Sequence, residues 1–213
     1  MAINHAIEVL NEQIRRCNKC SLAETRTNAV CGEGNLNAQI MLIAQAPGKN
    51  EDREGRMFIG PSGLVLDELL NTIRIDRKEI YMTNLIKCML PKNRKPKSDE
   101  ITACSPYLDR EIKLINPGIL APLGYYATRY ILEKYGIPSS PKREFRRIYG
   151  NVLEVDGKTI IPLQHPAAVL HDISIKSTLV TNYRKMQALY MRLSKKGLHA
   201  MRRKRDTHRE AAK

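Results

Sequence analysis

Short apolar runs alternate with longer amphipathic ones along this chain, and that alternation predicts its elements. Gln39 to Ala44 is too continuously apolar for a half-exposed strand and reads as a short buried one, ended by Ala46-Pro47-Gly48. A loop of mixed charge follows from Lys49 to Arg56. Gly60-Pro61-Ser62-Gly63 then introduces the amphipathic run of a helix over 62–73, with either Ser62 as its N-cap or Pro61 in its first turn. Ala6, Val9, Leu10, Gln13 and Ile14 predict a helix over 3–16, and a Gly-rich linker spans 31–38. Ile80 to Thr83 is a second short strand that delivers Asn84 at its end. The stretch from Lys87 to Lys97 is too polar and proline-broken for regular structure.

Ser98, Ile101, Cys104, Leu108, Ile112 and Ile115 mark a helix over 98–115 capped by Ser98. Ile119 to Leu123 is a further buried strand, and a helix from Gly124 to Tyr135 closes at Gly136. A basic linker over 138–147 leads to two strands, Asn151 to Val155 and Thr159 to Pro162, joined at Asp156-Gly157. The last helix is expected over 176–193. Strands and helices alternating in this way predict a three-layer α/β/α sandwich with a mainly parallel central sheet. Residues 1–195 form one domain in this reading, and 196–213 a basic tail. In an open α/β sheet, ligands bind at the carboxyl ends of the strands, so the loops carrying Gln45 to Phe58, Asn84 and His165 should face one crevice.

Charge narrows the class of partner. The 213 residues carry 36 Lys plus Arg against 22 Asp plus Glu, a formal net charge of +14, which favours a nucleic acid. No apolar run approaches the length of a membrane span, and Met1 to Arg16 is charged and amphipathic rather than a signal peptide. The expectation is a soluble, cytoplasmic protein with no membrane partner. There is neither a GxGxxG nor a Walker lysine motif, which counts against a plain nucleotide-binding domain.

In a reducing compartment, clustered cysteines serve more often as ligands than as disulfides. Cys17 and Cys20 form a CxxC at a helix end, Cys88 and Cys104 complete a set of four, and Cys31 is left over. Four thiolates suit a tetrahedral zinc or a [4Fe-4S] cluster, and the spacing does not choose between them. Nor does it bar Cys31 from replacing one of the four.

From Cys17 to about Tyr190 the chain resembles the family 4 uracil-DNA glycosylases, the iron-sulfur members of their superfamily. The residues that carry the resemblance are Cys17 and Cys20, Ala44-Gln45-Ala46-Pro47-Gly48, Glu51-Asp52, Gly55 to Gly60, Thr83-Asn84-Leu85-Ile86-Lys87-Cys88, Cys104 to Leu108, and His165 to Leu170. It implies a uracil-DNA glycosylase-like fold, with a [4Fe-4S] cluster on Cys17, Cys20, Cys88 and Cys104. It also implies hydrolysis of the N-glycosidic bond of deoxyuridine in single- or double-stranded DNA, leaving an abasic site for base excision repair; a monomer is expected. Gln45, Glu51, Asp52 and His165 would then be catalytic, and Phe58, Asn84 and His165 would hold uracil. Val169 or Leu170 would wedge into the gap left by the flipped base. Lys92, Arg94, Lys95, Arg143, Arg146 and Arg147 would neutralise phosphates.

One position departs from the pattern. The family usually has Glu where this chain has Gln45, and an amide orients a water but cannot take its proton. That substitution keeps two alternatives in view: an iron-sulfur nucleic-acid-binding protein with weak or no excision, and a glycosylase for another deaminated base.

Overall fold

The computed structural model describes residues 2–138 and 142–210, and no side chain of 142–144 or 194–210 is included in that description. Six strands make one sheet: β1 (Glu33–Gly34), β2 (Ile40–Ala44), β3 (Ile80–Asn84), β4 (Ile119–Pro122), β5 (Leu153–Val155) and β6 (Lys158–Ile160). Their order is β1-β3-β2-β4-β6-β5. The four central strands are parallel, and the two edge strands pair antiparallel. The helices are α1 (Ala2–Arg15), α2 (Leu22–Thr25), α3 (Lys49–Glu54), α4 (Pro61–Thr72), α5 (Ser98–Ile115), α6 (Tyr125–Lys134), α7 (Ala168–His171) and α8 (Lys176–Glu210).

The apolar continuity of β2 follows from burial on both faces. Met41 and Ile43 pack with Leu10, Ile14, Leu108 and Ile112 of α1 and α5. Ile40, Leu42 and Ala44 pack on the other side with Leu66 and Leu69 of α4 and Tyr183 and Met186 of α8. This is the predicted three-layer sandwich. Register places Ala44 beside Asn84 at the carboxyl ends of β2 and β3, and a parallel bridge from Leu123 to Leu163 brings the segment before His165 to the same end. No helix among the described residues is long and apolar enough to cross a membrane.

The structure corrects several boundaries. The charged stretch after β2 is not a loop: its first six residues form α3, too short to show a periodicity. Asp52 ties that helix down by accepting the Thr27 N–H with both carboxylate oxygens (3.1 and 3.0 Å). Gly55, at φ 69°, ends it in the left-handed conformation. For α4 the N-cap is Gly60, with Pro61 the first helical residue, so Ser62 lies one position further in. For α5 the cap position is Lys97, whose N–H donates to Glu100 Oε2 (2.8 Å), and Ser98 is already helical. A two-residue strand, β1, sits in the Gly-rich linker against β3. Lys142–Arg147 of the basic linker is a 3-10 helix. α8 continues past residue 193, through a stretch rich in good helix formers. Asp156 and Gly157, at φ 49° and 71°, make the expected tight hairpin turn between β5 and β6.

Candidate active site

The sheet ends create a cleft of about 600 Å3, counting the space open to solvent. Gln45, Glu51, Phe58, Asn84 and His165 all line it, with Ser62, Leu90 and Asn93 among its other walls. Asn84 closes β3 and is buried. Its Nδ2 donates to the thioether of Met57 (3.1 Å), a weak acceptor, and no other hydrogen bond of this amide occurs among the described residues. A buried amide with so poor a partner is free to bind the edge of a ligand.

Phe58 sits at φ 52°, a strained conformation for an aromatic residue. Arg77 Nη2 anchors it by donating to the Phe58 carbonyl (2.8 Å). Its ring lies 5.9 Å from that of His165, with 27° between their planes.

His165 follows β6, and its ring is oriented by its own backbone. The N–H of Ala167 donates to Nδ1 (3.1 Å), so in the neutral ring the proton sits on Nε2. Burial lowers the pKa of this imidazole to about 4, against a weaker opposing pull from Glu51. The strand end before it is also fixed: Gln164 Oε1 accepts from Asn182 Nδ2 of α8 (2.9 Å), a role that the sequence does not announce.

Glu51, on α3, turns its carboxylate back to the cleft, where Oε1 accepts the Gly60 N–H (2.8 Å). Gly48 makes room for it, since a Cβ there would stand 2.6 Å from Glu51 Oε2. Gln45 gives its main-chain carbonyl to the Ile86 N–H (2.9 Å). Its side-chain amide has no hydrogen-bond partner among the described residues and stays available in the cleft wall.

Three site expectations change, and a fourth falls outside the described side chains. Asp52 is buried under the Thr27 turn and does not line the cleft, and its carboxylate is held by the Thr27 N–H. Val169 is 8% exposed and belongs to the core, whereas Leu170 is 51% exposed and presents its apolar side chain to solvent. Arg94 spends its guanidinium on Glu100, whose side chain is fully enclosed, through Nη1 to Oε2 (2.9 Å) and Nη2 to Oε1. Arg143 has a side chain outside the described residues. Lys92, Lys95, Arg146 and Arg147 are exposed as a phosphate contact requires.

A measurement separates these cations. Replacing Lys92 or Lys95 by alanine is expected to weaken DNA binding and to lower the salt slope of log K by about 1 each. Replacing Arg94 by alanine is expected instead to lower the melting temperature, because Glu100 keeps its burial and loses its cation.

Cys17, Cys20, Cys88 and Cys104 ring a second, narrow pocket of about 330 Å3 counting the space open to solvent, otherwise walled by groups such as Ile14, Leu22, Ile86 and Tyr107. They come from the turn after α1, the segment after β3, and α5. The Arg26 guanidinium donates to Cys88 Sγ (3.2 Å), and the Lys87 N–H to Cys104 Sγ (3.2 Å). Burial pushes both thiols up, and Arg26 and Lys87 oppose it at Cys88 and Cys104 respectively. Cys31 is outside this ring, with its thiol on the Asn11 carbonyl (3.6 Å). Among the described residues no three His, Cys, Asp or Glu converge on the position of a single ion. In a cubane cluster each cysteine binds a different iron, so four thiols around an apolar cavity with N–H donors on the sulfurs fit one.

The family model of the uracil DNA glycosylase superfamily matches residues 31–186. A type-4 uracil-DNA glycosylase of Saccharolobus solfataricus is 40% identical over 188 residues, covering 85% of each chain. One from Sulfurisphaera tokodaii is 38% identical over 196 residues, covering 86% of this chain and 84% of the relative. One from Thermotoga maritima is 36% identical over 169 residues, covering 79% and 85%. With its strand-end motifs gathered in one cleft and its length shared with these proteins, the chain belongs to the uracil DNA glycosylase superfamily, beside the type-4 enzymes.

Proposed function

We propose that this chain is a uracil-DNA glycosylase that hydrolyses the N-glycosidic bond of deoxyuridine in DNA and leaves an abasic site, a first step of base excision repair in the cytoplasm. The observation that carries the reading is the convergence of Phe58, Asn84, His165, Gln45 and Glu51 on one cleft at the strand ends. The alternatives without excision draw no support from that cleft.

The target nucleotide must leave the stack, which costs a few kcal/mol, and Leu170 fills the space it vacates. Phe58 stacks on the base, and the Asn84 amide pairs with the Watson-Crick edge of uracil. When the C1′–N1 bond breaks, its electron pair departs with the base. The neutral His165 donates its Nε2–H to the O2 on which that charge collects. It supplies a hydrogen bond rather than a proton, because an imidazole with a pKa of about 4 carries no charge to give at neutral pH.

Positive charge on the sugar faces the Glu51 carboxylate. The Gln45 amide oxygen orients the water that bonds to C1′, and the proton this water loses goes to Glu51 or to solvent. Lys92, Lys95, Arg146 and Arg147 hold phosphates, and the tail beyond residue 195 adds to the non-specific attraction.

Cys17, Cys20, Cys88 and Cys104 would hold a [4Fe-4S] cluster. When bound it cross-links α1, the segment after β3 and α5, and supplies no step of hydrolysis. The division of labour between Gln45 and Glu51 is tested by exchange. Gln45→Glu should raise uracil release, and Glu51→Gln should lower it by about 100-fold, within the usual worth of a positioned acid or base. A Glu51→Gln protein that retains full turnover would remove Glu51 from the mechanism.

A further inference from the structure

Between the cleft and the cysteine cavity lies a buried charged pair that the chemistry above does not use. Lys87 is 1% exposed and Glu111 is 0% exposed. Lys87 Nζ donates to Glu111 Oε2 (2.6 Å), to Thr83 Oγ1 (2.6 Å) and to the main-chain oxygen of Asn84 (2.9 Å). All three N–H bonds of the ammonium group are thereby used. Glu111 Oε2 also accepts from Thr83 Oγ1 (2.7 Å), and Glu111 Oε1 accepts the Gly32 N–H (3.2 Å). A fully enclosed ion pair gains little stability over apolar residues of the same size. What it does supply here is a fixed geometry, and the group it fixes is the peptide of Asn84.

Asn84 is the last residue of β3; the Leu85 and Ile86 N–H groups after it still donate to the Ala44 and Gln45 carbonyls (2.8 and 2.9 Å), while the carbonyl of Asn84 itself takes its hydrogen bond from Lys87. The chain then turns through Leu85 and Ile86, and Lys87 reaches back to grip the carbonyl it has just left. We infer that Lys87 and Glu111, with Thr83 between them, are positioning residues for base recognition: they hold the Asn84 peptide so that its side-chain amide meets the edge of uracil. The inference rests on Asn84 being the residue that reads the base. The neighbouring N–H of Lys87 donates to Cys104 Sγ (3.2 Å), so the base reader and the cysteine cavity share one short segment, 84–88.

The test is a double-mutant cycle on the full chain, comparing wild type, the Lys87→Met/Glu111→Gln pair, Asn84→Ala, and the three changes together. The paired change removes both charges at once, so neither is left buried and alone, and the Glu111→Gln side chain keeps an oxygen for the Gly32 N–H. Single-turnover uracil release from a labelled duplex is read beside the melting temperature and the visible absorbance of the purified protein.

The paired change should lower release by about 100-fold, the order of loss that a misplaced recognition group produces. In the Asn84→Ala background it should lower release no further, because the group it positions is gone. Equal losses in both backgrounds, or no loss in a folded protein, would overturn the inference. If the paired variant does not fold, Thr83→Val, which removes the hydroxyl between Lys87 and Glu111, is judged by the same criterion. Wild-type protein that releases no uracil removes the base-reading assignment, and the inference with it; wild-type release with additive losses removes the inference alone.

Discussion

Alanine at position 165 is expected to cut uracil release by about 100- to 1000-fold, the loss that follows removal of one preorganised donor from a developing oxyanion. The loss should fall on kcat, since the hydrogen bond from Nε2 gains strength only as charge reaches the base. The pH behaviour follows from the same ring. Its pKa is lowered from 6.5 to about 4 by burial, so the donor is neutral and intact from about pH 5 upward, and His165 imposes no acid limb on turnover near neutrality.

Stability behaves differently. Between the two values the unfolded chain binds a proton that the folded chain refuses, so stability contributed by this group is full above 6.5 and falls as the pH drops toward 4. Urea unfolding of wild type and His165→Ala, at about pH 7 and again at about half a unit above the folded value, should show the wild type losing more stability on acidification. Equal losses would mean that the ring is not desolvated as described.

Gly63→Ala is expected to damage both stability and base binding. A Cβ at this position would overlap the carbonyl oxygen and carbon of Phe58, backbone atoms that Arg77 already pins. Either α4 or the Phe58 segment has to move, at a cost of about 1–3 kcal/mol from overpacking. Displacing Phe58 takes the stacking face from the cleft, so KM for uracil-containing DNA should rise while affinity for abasic DNA holds. Gly136→Ala is the comparison. It has φ 66° but nothing within 4 Å, so it should cost backbone strain alone and leave KM unchanged. A Gly63→Ala protein with wild-type melting and KM would show that α4 does not press on Phe58.

The central strands and the cleft were legible in the sequence for one reason. β2 is buried on both faces and reads as an unbroken apolar run, β3 opens on Ile80-Tyr81-Met82, and the polar residues that close or follow these runs fall at strand ends by topology. Local pattern failed where a tertiary partner decides. α3 is six residues, mostly charged, whose helix depends on Asp52 meeting the Thr27 N–H, and nothing nearby in sequence announces that contact.

Lys87 and Arg94 belong to the same polar, proline-broken stretch, in which nothing local tells a buried cation from an exposed one. One is enclosed against Glu111 and the other clamps Glu100, because the partners come from α5. Val169 and Leu170 are adjacent and equally apolar, and only the turn of α7 directs one to the core and the other to solvent. The burial of Lys87 had a faint signal: it lies between a strand-end Asn and a cysteine, in a segment where Leu85 and Ile86 are also buried.

The measurement that tests the account most directly is uracil release from a labelled oligonucleotide with U opposite G, U opposite A, or U in a single strand, with Asn84→Ala and His165→Ala proteins beside the wild type. The account predicts alkali-labile sites at uracil with the wild type, and a loss of at least about 100-fold with either variant. No release by a folded wild-type protein that still binds the DNA would contradict it.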